Sequence, residues 1–417
     1  MKTNKFFKSK RWSIFWRGFI TALPIILTIV AYLCANQNFK EFFEAHFICV
    51  SIIVLLLSAL AGLITFGGKT IEEKNLQITK LQQTQGNIQG DNDVSDLIDF
   101  LRKELENKNY EEVITVGQVL DRTLFTIGKY EMRLKIGEIV KEAARFRYKQ
   151  SEGNVQKQDK YKEIEMTTLI DSIGWMKVEL GRSKKGRKDI EDGKLIAESF
   201  NTDKGKSYVA RANRHLGSIE RRLGDYPKAF SFHNQSIEKA KEIENEQLKI
   251  EAIAAAYYAM AFVYNEQKDY ANAVKYAKDS ILEFNKLEDG DKKTMKVCMT
   301  TEIHARFLFY SVQKRENDYN ISEAEKTSKI LEAEKIFDEA LTTAVHHTFR
   351  LEMVRCYIGF SEINLHFADN SIGKDRKGYI DKVKSYINKA KNVKIDCKDD
   401  QDRINDIERR INDIEGV

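Results

Sequence analysis

The stretch ANRHLGSIERRLGDYPKAFSFHNQSI, residues 212–237, decides the fold. Its apolar and small residues recur at helical spacing on both sides of Gly224-Asp225. Gly217 and Ala229 are small enough for two helix backbones to approach closely. Gly224 suits the end of one helix and Asp225 the cap of the next. Pro227 falls in the first turn of the second helix, where its missing N–H costs little. The stretch predicts two helices folded back on each other.

Working outward, the same pattern returns in the following unit as Tyr257, Met260-Ala261, Tyr264, Asp269-Tyr270, Ala273, Ala277 and Ser280-Ile281. Looser copies precede it at Ile173-Gly174, Gly181, Gly186, Ile190 and Gly193, and a degenerate first copy at Asn109-Tyr110 and Val113. Two further second helices follow at Ala333, Phe337, Ala340-Leu341 and at Val383, Ile387, Ala390. Residues 212–237 and their neighbours resemble the tetratricopeptide repeat. The spacing exceeds the about 34 residues of the plain repeat, so helices are longer or loops inserted. The fold expected is all-α, a TPR-like α-solenoid over residues 94–400, stacked as an open, curved array. Residues 401–417, with Ile404, Ile407, Ile411 and Ile414 in one stripe, read as a final capping helix or a short coiled coil.

The resemblance implies a groove lined by the first helices, touching an extended peptide or a partner helix. Carried over by register, it presents Arg211, Arg214, Ser218 and Arg221, with Arg222 beside them, then Tyr258, Phe262 and Asn265. The first four lie on one helical stripe. Guanidinium forks suit carboxylates and phosphates, and the aromatic rings add apolar anchors. The expected partner is a protein or acidic peptide. The alternative is that these arginines pair with acidic residues of neighbouring helices, such as Glu220 or Glu251.

The N-terminal end is of another kind. Residues 18–34 and 47–66 are apolar runs without a charged side chain, and the second, at about 1.5 Å per residue, spans a bilayer core. Residues 1–17 carry six basic side chains and no acidic one. Basic flanks stay on the cytoplasmic side. The expected arrangement is a transmembrane helical hairpin in the lipid bilayer, with Lys8, Lys10, Arg11, Arg17 and Lys69 at the headgroups. A helical stalk at 69–85 and a Gly-containing hinge at 86–93 would then lead to a cytoplasmic body. The Lys-, Asn- and Ile-rich composition suits a bacterial inner membrane.

Charge bounds the partners. The formal net charge is +5, and residues 1–17 account for that excess, so a nucleic-acid-binding body is not expected. The five cysteines are scattered, which fits reduced thiols and no metal site. Gly67-Gly68-Lys69-Thr70 imitates a phosphate loop, but Leu63 stands where its first glycine is needed. The basic run 182–188 reads as an inter-helix turn, solvated or facing headgroups. His346-His347 and His366 lack ligand spacing. No catalytic set and no cofactor is indicated. The expected function is a membrane-anchored interaction scaffold or receptor, and not an enzyme, with homo-oligomers possible. The competing expectation is a sensor-effector of a bacterial stress or defence system, its hairpin perturbing the membrane.

Overall fold

The computed structural model describes residues 91–313, 322–393 and 395–416. The two apolar runs, the stalk, Lys8, Lys10, Arg11, Arg17 and Lys69 lie outside the described residues. Among the described residues no helix is long and apolar enough to cross a membrane. The C-terminal unit is helical throughout, without a strand among the described residues.

Its helices follow one another as α1 (Asp91–Glu106), α2 (Tyr110–Thr126), α3 (Tyr130–Gln150) and α4 (Val155–Thr167). The last runs through a π-helical stretch, Thr168–Trp175, into α5 (Met176–Glu179). Then come α6 (Ser183–Glu198), α7 (Asp203–Arg222), α8 (Tyr226–Lys241), α9 (Glu246–Glu266) and α10 (Tyr270–Phe284). The chain ends with α11 (Asp291–Gln313), α12 (Glu323–His346), α13 (Arg350–Asp369), α14 (Gly373–Val393) and α15 (Lys398–Glu415). Each helix packs on the next in hairpins, α7 on α8, α9 on α10, α11 on α12 and α13 on α14. The small positions Gly186, Ala229, Ala273, Ala333 and Val383 all fall on second helices and are buried. The expected hinge ends earlier than residue 93, because Asp91–Asp93 already belong to α1.

One turn builds much of this array. At Gly128, Gly181 and Gly224 the chain takes positive φ, and it does so without glycine at Lys108, Lys268 and Thr348. In each case the next residue's N–H reaches back five residues, as Asp225 does to the Glu220 carbonyl and Asp269 to the Tyr264 carbonyl. This closes the preceding helix with a Schellman motif. Asp225 and Asp269 then accept from the N–H groups of Lys228 and Asn272, capping α8 and α10. A second repeated bond ties the hairpins: Ser236 Oγ donates to the Ala210 carbonyl at 2.7 Å, and Ser280 Oγ to the Ala254 carbonyl at 2.8 Å.

The basic run 182–188 is not an inter-helix turn. Only Arg182 stays outside α6, and Arg187 turns inward to Glu220. A helix start repels positive charge, and these pairings, with Arg182 on Glu131, offset that.

The array is also not open. Ile404, Ile407 and Ile411 of α15 are buried in a core shared with Leu134, Ile173 and Met176 near the N-terminal end, and with Val354, Ile358 and Val383. The segment leading into α15 docks on the α2–α3 turn, where the Asp396 N–H donates to the Gly128 carbonyl at 2.9 Å. Ile395 lies against Gly128, where a Cβ would come within 2.8 Å of its Cγ2. Arg222 reaches Asp399 at 3.0 Å. The isoleucine stripe thus holds the two ends of the array together, and is not available as a coiled-coil seam between chains.

Candidate functional site

Closure leaves a cavity of about 540 Å³ along the inner wall. First helices line it: α7, α9, α11 and α13 supply most of the wall. The turn region of α2–α3, the π-helical stretch and the first turns of α15 complete it. Eleven basic and six acidic side chains face it, so the wall carries an excess of positive charge.

The residues expected from register come together here with one exception. Arg211, Arg214, Ser218, Arg221, Tyr258 and Phe262 all line the cavity, as does Arg222. Asn265 does not. It lies in the last turn of α9, where its carbonyl accepts the Lys268 N–H of the helix-closing turn. The wall ends one turn earlier, at Phe262. Ser218 is buried, and its hydroxyl donates to the Arg214 carbonyl within the same helix.

Most of the arginines are already paired, and only in part with the acids expected. Arg211 holds Asp171 at 2.5 Å and approaches Glu251 at 3.7 Å. Arg221 pairs with Glu266, and Arg222 with Glu179 and Asp399. Glu220 instead takes Arg187 and Lys228. Asp171 is held well below the usual carboxylate range. Burial opposes its charge, but Arg211 and His215 outweigh burial. Burial and the positive charge of Arg214 push His215 down to about 3, so its ring is neutral.

Arg214 is different. Among the described residues its side chain has one side-chain partner, His215, whose Nε2 lies 3.3 Å from the guanidinium and 3.5 Å from Asp171. A neutral ring nitrogen accepts or donates but cannot serve both neighbours. Burial, with Arg211 beside it, lowers Arg214 to about 10. Burial lowers Lys296 on α11 to about 8, with Arg214 adding to the effect and Glu251 opposing it.

Aromatic rings alternate with these cations. Trp175 stacks on His215 with centroids 4.3 Å apart. Arg221 and Arg306 both lie over the Phe262 ring, at 5.3 and 5.7 Å, while Tyr258 meets the ring edge-on. Stacking of this kind restrains guanidinium groups while leaving N–H donors free to point at a ligand.

Register alone missed the rest of the wall. Trp175 and Asp171 come from a π-helical stretch in the degenerate repeat, and Lys296, Arg306, Arg355 and Arg403 come from later helices. The pattern of a long repeat with inserted residues does not reveal which face of those helices turns inward. Among the described residues no cluster of three or more potential metal ligands converges.

The chain matches no curated protein. Residues 208–281, from Tyr208 on α7 to Ile281 on α10, match the family model of the tetratricopeptide repeat. The two hairpins that carry Arg211, Arg214, Arg221, Tyr258 and Phe262 are therefore similar to that repeat, and the unit around them is an all-α array of helical hairpins.

Proposed function

We propose that the protein is a membrane-anchored interaction scaffold or receptor whose TPR-like unit takes up an acidic segment of a partner protein on its inner wall. The observation that carries this reading is the cationic, aromatic cavity, formed by the helices that tetratricopeptide repeats use for docking. A negatively charged segment gains charge-assisted hydrogen bonds from the arginines and apolar contact from Tyr258 and Phe262. The mechanism is recognition rather than catalysis. The apolar runs 18–34 and 47–66 would hold the unit at a bacterial inner membrane, with residues 1–17 and the helical array on the cytoplasmic side. Confinement to a membrane raises the effective concentration of a docked partner without any new contact.

The test is crosslinking in native membranes from a photoreactive residue at position 258 or 262. One species should dominate, crosslinked through an acidic segment, and the charge reversals Arg214→Glu and Arg221→Glu should abolish its capture. Capture that survives both reversals would retire the reading.

A further inference from the structure

Two half-buried cations in the cavity stand apart from the rest of the wall, whose one other cation without an ion pair among the described residues, Arg122, is exposed. Among the described residues Arg214 and Lys296 have no carboxylate within ion-pairing distance. The acid that most favours the charge of Lys296, and also favours that of Arg214, is Glu251. It is taken by Lys292 at 2.5 Å and by Arg211 at 3.7 Å. Both groups border the cavity, Arg214 from α7 and Lys296 from α11.

Two fixed positive charges without counter-charges cost stability in the ligand-free protein, because burial penalises each and they repel. A single anion in the cavity held by both groups would remove both costs. A carboxylate brings one negative charge; a phosphate monoester brings about −1.5 to −2 at neutral pH, with three acceptor oxygens. Arg214 offers a planar fork and Lys296 a point charge, the two donor types that hold phosphates. The volume, about 540 Å³, lies within the roughly 300–1,000 Å³ of ordinary ligand pockets.

We propose that Arg214 and Lys296 form a seat for a phosphate group inside the cavity. The proposal rests on the reading that the inner wall binds an acidic ligand, and names the group that the wall selects. The group arrives either on a phosphorylated side chain of the docked segment or on a free phosphate ester.

The experiment uses the full chain in detergent micelles at pH 7, with ionic strength held constant by sodium chloride. Thermal unfolding and calorimetric titration are read with inorganic phosphate, with an acidic peptide carrying one phosphoserine, and with the same peptide carrying glutamate instead. Phosphate at millimolar concentration should raise Tm, and Arg214→Gln or Lys296→Gln should weaken its binding at least tenfold. Without ligand, neither substitution should lower Tm, since each removes an unpaired charge; a merely structural cation would behave in the opposite way. Phosphopeptide binding at least tenfold tighter than inorganic phosphate assigns the group to the docked segment, and equal affinity assigns it to a free ester.

The seat is overturned if phosphate leaves Tm unchanged, or if both substitutions bind it as well as the parent. If the peptides bind both variants normally but lose Tyr258→Ala and Phe262→Ala, the seat falls and the docking reading stands. If phosphate binds through Arg214 and Lys296 while neither peptide binds, the docking reading falls and the seat stands.

Discussion

The backbone N–H of Asp396 donates to the carbonyl of Gly128 at 2.9 Å, joining the approach to α15 with the turn between α2 and α3. Elements from opposite ends of the helical array are thereby in direct contact, and the core beneath them holds Ile404, Ile407 and Ile411. Truncating Ile407, which is 2 % exposed, removes buried methylenes and leaves a cavity. Ile407→Ala should cost about 2–5 kcal/mol. Hydrogen exchange checks the closure itself: the Asp396 amide should exchange faster in the variant, while the amides of α9 and α10 keep their relative protection.

The Schellman turns supply a prediction of opposite sign. Lys268 is exposed and sits at φ 64°, where a Cβ is strained, and among the described residues its side chain forms no hydrogen bond or ion pair. Lys268→Gly should stabilise the protein by about 0.5–1 kcal/mol, read as a higher denaturation midpoint at unchanged slope. A lower midpoint would mean that glycine's freedom in the unfolded chain outweighs the relief.

Gly186 and Gly174 mark a close approach of two helical backbones. A Cβ on Gly186 would lie 2.5 Å from the Gly174 carbonyl oxygen and 2.8 Å from Val178 Cγ2. The first obstacle is main chain and cannot rotate away. Gly186→Ala should therefore destabilise by about 1–3 kcal/mol, measured by chemical denaturation. The looser repeat at Gly174, Gly181 and Gly186 was legible as small residues at helical spacing. That it forms a π-helical stretch packed on α6 was not, because no local residue preference marks that winding.

Acid should weaken the fold through two histidines. Burial drives His233 down to about 3, with Arg214 and Arg221 adding to the effect, and neither ring nitrogen has a hydrogen-bond partner among the described residues. His215 is lowered to the same value. The unfolded chain binds protons on these rings near pH 6.5, whereas the folded chain does so only near pH 3. Between those limits the unfolded state holds more protons, so stability rises with pH across the window and is lost as pH falls from about 6.5. His233→Gln should flatten the dependence of unfolding free energy on pH between 4 and 6 by about one proton. An unchanged slope would place the ring in a protonated, partnered state.

The sequence by itself determined the helical hairpin. Gly217, Gly224-Asp225, Pro227 and Ala229 act over a few residues, through caps, turns and close approach, and such local chemistry is written in order along the chain. Taken with the resemblance to the tetratricopeptide repeat, its register also placed Arg211, Arg214, Arg221, Tyr258 and Phe262 on the inner wall, since spacing sets which residues share a helix face and the resemblance sets which face turns inward. Tertiary structure decided the rest. Whether the stacked hairpins stay open depends on small rotations between successive pairs, accumulated until α15 meets the α2–α3 turn, and no local residue pattern encodes that sum. The same accumulation decided which cations found acids. Arg211 met Asp171 and Arg221 met Glu266 across helix pairs, while Arg214 and Lys296 were left facing the cavity. Pairing of charges distant in sequence is a property of the closed shape, because electrostatic energy depends on separation in space rather than on order along the chain.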